Sequence, residues 1–239
     1  MATFVLLPGA HCGGWSWKKL TPFLCDAGHQ VYRPTPTGLG ERVHLAHPQI
    51  TLETHITDIV NVLAFEDLQE VVLVGWSYGG LVITGVAGRF PQRVAQLIYL
   101  DATVPDDGQS YYDAWPDGEE EWASDHQKAT LAGTPEFVPV PADYIQGAVR
   151  DVRDREWMLA KMVAHPLATM TQPVRIEDPA TGQIPRSYIR CTEKRDPIVP
   201  AFLMRARSDP GWRYRELAAN HVAPVTAPQE TAALLLSLV

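Results

Sequence analysis

Short runs of uninterrupted apolar residues alternate along the chain with longer segments in which apolar residues return every three or four positions. TFVLL at 3–7 is such a run, stopped by Pro8-Gly9; it reads as a buried strand. Trp17, Leu20 and Leu24 then recur at helical spacing over 15–27, until Gly28 ends the pattern. QVYRP at 30–34 predicts the second strand. Leu52, Ile56, Ile59, Val60 and Leu63 form one stripe, with Thr51 placed as its N-cap. VVLV at 71–74 and VAQLIYL at 94–100 predict strands three and four, with a helix from Ser77 between them. The rhythm resumes with RSYIRC (186–191), a helix near 198–206, GWRYREL (211–217) and a terminal helix near 226–238. Strands without polar alternation, separated by helices, predict a parallel sheet covered on both faces.

Between 103 and 183 the alternation fails. This stretch holds Tyr111, Tyr112, Trp115, Trp122, Trp157, Met158, Met162 and Met170, many prolines and the acidic run DGEEEW. One helix is predicted at 151–163, where Val152, Leu159, Met162 and Val163 share a face. The expectation is one domain: a core formed by 1–102 and 184–239, and a helical cap, 103–183, inserted between two strands. Aromatics and methionines suit the roof of an apolar pocket; they equally suit packing of the cap onto the sheet.

The chemistry concentrates in Gly75-Trp76-Ser77-Tyr78-Gly79, a G-x-S-x-G sequence between a strand and a helix. That context fits a nucleophile elbow, in which a sharp turn presents a serine hydroxyl at the carboxyl end of the sheet. Neighbouring glycines give the turn room. A serine hydroxyl needs a base. Of eight histidines, His221 is the candidate, in a loop after the last predicted strand. The acid that orients the base is expected at Asp196, after the strand ending at Cys191, with Asp101, after the preceding strand, as its rival. Asp196 gives the chain order Ser, Asp, His that such elbows use. The oxyanion donors are expected to be the Tyr78 N–H and, from the first loop, the Ala10 N–H; Pro8 has no N–H to give. The substrate pocket is expected at Gly9, His11, Trp76 and Val222.

Charge and cysteines narrow the partners. The 239-residue chain carries a net charge of −8 with no basic run, which argues against nucleic acid and anionic membranes. Cys12, Cys25 and Cys191 are odd in number and far apart, so neither a disulfide framework nor a zinc site is expected. The N-terminal MATFVLLPGA reads as neither a signal peptide nor a membrane span. A cytoplasmic compartment is the expectation.

VLLPGAHCGGWSWKKLTPFLCDAGHQV, VVLVGWSYGG, YIRCTEKRDPIVPAF and NHVAPVTAPQE together resemble the α/β-hydrolase superfamily, in the branch of the plant methylesterases, hydroxynitrile lyases and their bacterial relatives. The resemblance covers most of the chain and is weakest in the cap. It implies an α/β fold with a six-stranded, mostly parallel sheet, helices on both faces and a small helical cap. It also implies a Ser77–His221–Asp196 triad, with Tyr78 and Ala10 as oxyanion donors. The implied activity is a serine esterase acting on small to medium apolar carboxylic esters, without metal or organic cofactor. A homodimer is a family-level expectation. The alternatives are a lyase or cyclase step at the same site, or a ligand receptor with weak turnover.

Two positions depart from the family pattern. Pro8 replaces the histidine common before the first-loop glycine, and Trp76 replaces the usual histidine before the serine. In the lyases a first-loop threonine and a lysine after the catalytic histidine serve cyanide release. Here those positions hold Gly9 and Val222. No cation for a departing cyanide is expected beside the base, unless Lys128 or Lys161 reaches in from the cap. Gly9 is expected to leave open space at the oxyanion loop.

Overall fold

The computed structural model describes residues 1–115, 118, 124, 125, 127–129, 133–193 and 200–239. Asp196, Trp122 and His126 lie outside the described residues. Eight strands are described: β1 (Thr3–Leu7), β2 (Gln30–Tyr32), β3 (Val71–Trp76), β4 (Val94–Leu100), β5 (Phe137–Val138), β6 (His165–Pro166), β7 (Arg186–Cys191) and β8 (Trp212–Leu217). Six of them form one sheet in the order β2-β1-β3-β4-β7-β8. All five pairings in it are parallel. β5 and β6 pair antiparallel in a separate two-stranded ribbon.

Among the described residues the α-helices are α1 (Thr21–Asp26), α2 (Leu52–Phe65), α3 (Gly79–Arg89), α4 (Ala142–Ala148), α5 (Val152–Leu159), α6 (Ala168–Thr171), α7 (Ala201–Ser208), α8 (Ala223–Thr226) and α9 (Pro228–Leu236). The segment expected to be a single helix over 15–27 divides into a 3-10 turn, Gly14–Trp17, and α1. Pro22, at the start of α1, has no N–H to continue a helix from the preceding turn. The terminal helix, expected near 226–238, begins at Pro228 for the same reason. At α2 the Thr54 hydroxyl accepts from the Thr51 N–H at 3.2 Å, satisfying a donor at the helix start.

The strands explain the two-sided burial. Along β1, Val5 and Leu7 face one core layer while Phe4 and Leu6 face the other. The first layer takes the stripe of α2 (Leu52, Ile56, Ile59, Leu63) and Leu81, Val82 and Val86 of α3. The second takes Trp17, Leu20 and Leu24 with Ala232 and Leu235 of α9. Every residue of β3 is buried, as a central parallel strand requires. The loops after β1, β3, β4 and β8 therefore open on one sheet edge, which is where the candidate residues converge. Among the described residues no helix is long and apolar enough to cross a membrane.

Candidate active site

β3 ends at Trp76 and α3 starts at Gly79, so Ser77 must reverse the chain within two residues. It does so with φ +54°, a left-handed conformation that costs an L-residue energy and concentrates at functional sites. Close approach explains the glycines. A Cβ on Gly75 would lie 2.5 Å from the Gly79 carbonyl oxygen, and one on Gly80 would lie 2.1 Å from that of Thr103. No side chain fits at either place.

His221 stands in the loop between β8 and α8. Its Nδ1 lies 2.6 Å from Asp101 Oδ2. Asp101 follows β4 directly and takes φ +44°. Its N–H donates to the Ile189 carbonyl at 2.7 Å, and its Oδ1 accepts from the Cys191 N–H at 3.2 Å. The carboxylate is thus fixed by the neighbouring strand β7. The sequence favours Asp196 over Asp101. In the structure the described partner of His221 is Asp101, because β4 lies beside β3 and brings its C-terminal residue to the elbow. Asp196 lies outside the described residues.

Trp76 has an unforeseen role. Its indole N–H donates to the His221 backbone carbonyl at 2.7 Å, and the two rings lie 5.8 Å apart. The residue before Ser77 therefore holds the loop of His221. Gly9 does not leave open space. A Cβ there would lie 3.2 Å from both Ser77 Cβ and the Trp76 ring, so glycine lets the first loop pack directly against the elbow.

Three buried histidines support this loop and Tyr78, the residue after Ser77. His11 takes φ +65°. Its N–H donates to His165 Nδ1 at 3.1 Å. The Thr169 hydroxyl donates to the Pro166 carbonyl at 2.8 Å, so at 2.8 Å from His165 Nε2 it must accept. His165 is thereby the Nε2–H tautomer, with Nδ1 free to accept. His55 Nε2 donates to the Thr37 carbonyl at 2.9 Å, which leaves its Nδ1 to accept from the Tyr78 hydroxyl at 2.9 Å. Burial lowers His11 and His55 to about 4 and holds His165 well below the ordinary histidine value. Burial also raises Cys12, beside His11, to about 12, so this thiol is inert. Nothing in the spacing of His55 and His165 along the sequence foretells these bonds.

Ser77 and His221 line one cavity of about 580 Å³, together with Gly9, Ala10, His11, Trp76 and Val222. All four expected pocket positions are present. Tyr78 is buried below them, 1 % exposed. From the segment 103–183 come Tyr111, Val138, Pro139, Val140, Tyr144, Ile145, Met158, Met162 and Met170, a largely apolar wall. Two other described aromatics of that segment pack instead. Trp115 Nε1 donates to Thr103 Oγ1 at 3.0 Å, and Trp157 meets Trp15 edge-on at 5.0 Å. Lys128 lines the cavity and lies 3.8 Å from the Asp125 carboxylate; Lys161 is not on its wall. Among the described residues no three His, Cys, Asp or Glu side chains cluster as a metal site would need.

The profile of the alpha/beta hydrolase family matches residues 4–234. The chain is 36% identical over its whole length to a carbendazim hydrolyzing esterase of Nocardioides sp. (strain SG-4G), all of which is covered. It is 34% identical to an alpha-hydroxynitrile lyase of Arabidopsis thaliana over 43% of this chain and 40% of that protein. An extracellular alpha/beta-hydrolase from a Paenibacillus species superposes with a TM-score of 0.86 at 24% identity, over 99% of this chain and 98% of its own. The elbow at the end of a central parallel strand, and the match over nearly the whole chain, have one meaning: this protein belongs to the α/β-hydrolase family, in the branch of the plant methylesterases and hydroxynitrile lyases.

Proposed function

We propose that this protein is a serine hydrolase of small to medium apolar carboxylic esters, with Ser77 as nucleophile, His221 as base and Asp101 in place of Asp196 as the orienting acid. The observation that carries the reading is the 2.6 Å bond between His221 and Asp101 in the cavity that Ser77 lines. The relatives named esterases support it.

Asp101 accepts the Nδ1 proton, so Nε2 is left as the base. Ser77 Oγ attacks the ester carbonyl as its proton passes to Nε2. Charge develops on the carbonyl oxygen, and the N–H groups of Ala10 and Tyr78 receive it. Both donors sit in backbone fixed by buried neutral histidines, His165 through the His11 N–H and His55 through the Tyr78 hydroxyl. Little reorganisation is then needed as the charge appears. The tetrahedral intermediate collapses as His221 protonates the departing alcohol, leaving an acyl-serine. Water, deprotonated by His221, attacks the acyl carbon and releases the acid. The segment 103–183 acts as the cap over this cavity, with the remainder as the core.

Lys128, facing Asp125 across 3.8 Å, is already engaged by a carboxylate, and Val222 beside the base carries no charge. This favours ester hydrolysis over cyanohydrin cleavage, whose leaving anion needs a cation. The test is a panel of short-chain aryl and methyl esters, with mandelonitrile alongside and the Ser77→Ala variant as the blank. Ester turnover and phosphonate labelling are expected in wild type and absent from the variant. Labelling of the variant, or serine-dependent cyanide release matching the best ester, would overturn the reading.

A further inference from the structure

His11 sits on the cavity wall next to Ala10, yet the triad chemistry gives its ring no task. The proton positions on this ring follow from its contacts. Nδ1 lies 3.0 Å from the Val163 carbonyl oxygen. A carbonyl can only accept, so Nδ1 carries the proton. Burial keeps the imidazole neutral. Nε2 is therefore a bare lone pair.

That lone pair takes no partner among the described residues. It is also not sealed in the core. The fully buried side-chain nitrogens that lack a partner among the described residues are Trp15 Nε1, Trp17 Nε1 and Arg186 Nε. The ring is clamped on its other sides. The backbone N–H of His11 is held by His165 Nδ1, and the two imidazoles meet edge-on at 5.5 Å. The backbone is held at φ +65°, a conformation costly to a non-glycine residue unless its surroundings impose it. A rigid, neutral acceptor thus faces the cavity one residue from the proposed oxyanion donor.

We propose that His11 Nε2 is a specificity-determining acceptor for a hydrogen-bond donor on the acyl side of the substrate, next to the reacting carbonyl. This selects esters that carry an N–H or O–H beside the carbonyl: carbamates of primary amines or α-hydroxy esters. The inference rests on the hydrolase reading above. The physical basis is asymmetry. A substrate that offers the donor forms the bond, whereas one with the donor capped by methyl leaves the nitrogen desolvated and unpaired.

A substrate–enzyme cycle tests it. Wild type and His11→Phe are assayed with methyl N-phenylcarbamate and its N-methyl derivative, and with methyl mandelate and its O-methyl ether. In each pair the ratio of kcat/KM, donor over capped, is divided by the same ratio in the variant, which cancels intrinsic reactivity. A quotient of about three to tenfold is expected in one arm at least, and the arm that shows it identifies the carbamate or the hydroxy ester. A quotient of one in both arms overturns the proposal while leaving the hydrolase reading intact. Failure of wild type on all four substrates and on simple esters overturns both.

If His11→Phe does not fold, ¹⁵N NMR of Ser77→Ala decides the matter. Saturation with methyl N-phenylcarbamate or methyl mandelate should shift the His11 Nε2 resonance, and the capped analogues should not. An unmoved resonance with both donor-bearing esters overturns the assignment.

Discussion

The indole N–H of Trp76 donates to the backbone carbonyl of His221 at 2.7 Å, so the residue before Ser77 holds the His221 loop. Trp76 is 4 % exposed and lies at the end of the central strand, which makes it a rigid post. The elbow and the histidine loop, 145 positions apart in the chain, are tied by this bond. Trp76→Phe keeps an aromatic ring, removes the donor and shortens the buried side chain, leaving the carbonyl without this partner. We expect kcat to fall about tenfold while the thermal midpoint drops by only a few degrees. Steady-state kinetics with calorimetry check this. Unchanged kcat would show that the bond does not hold the imidazole.

Asp101 and Asp196 separate by mutation. An amide at the orienting position presents an N–H to Nδ1 and favours the wrong tautomer. Asp101→Asn is expected to lower kcat by roughly a hundredfold or more, with KM little changed. Asp196→Asn should cost less. The reverse order in two folded variants would return the acid to the loop after β7.

The elbow stores strain that stability measurements can read. Ser77 sits at φ +54°, where glycine has no steric cost and alanine does. Of two inactive variants, Ser77→Gly should therefore be more stable than Ser77→Ala by about 0.5–1 kcal/mol. Denaturant titration of both checks this, and a less stable glycine variant would contradict it.

The buried histidines set an acid limit. His11, His55 and His165 are lowered in the fold by desolvation. The unfolded chain titrates them near 6.5, so below that pH it takes up protons that the folded protein refuses. Stability is then complete above about pH 6.5 and falls as the pH drops toward 4. The limiting slope is about 1.4 kcal/mol per pH unit for each group. Thermal midpoints between pH 7 and 5 should fall, and His165→Gln should flatten the slope. An equal slope in a folded variant would exclude His165 as a contributor.

Much of the fold is legible because its period is local. VAQLIYL at 94–100 coincides with β4, since a central strand buried on both faces is mostly apolar; RSYIRC at 186–191 coincides with β7, with Tyr188, Ile189 and Cys191 buried and its two arginines half-buried. The division of 15–27 into a 3-10 turn and α1 is harder to see. The apolar spacing continues across Pro22, and the missing N–H at that proline decides the break.

The sequence by itself determined the sharp turn at Ser77 and the loop position of His221. A serine squeezed between a strand and a helix, with glycines where no Cβ fits, carries its geometry in six adjacent residues, 75–80. The histidine in the last loop is placed by chain order along a parallel sheet. Only the tertiary structure decided which carboxylate meets His221, what Trp76 holds and which way the proton of His11 points. Those depend on contacts between residues far apart in the chain: 120 positions for Asp101 and His221, 145 for Trp76 and His221, 152 for His11 and Val163. The physical reason is that local periodicity fixes which face a residue takes. A hydrogen bond, by contrast, is set by the register of β3, β4 and β7 and by the segment folded over their ends.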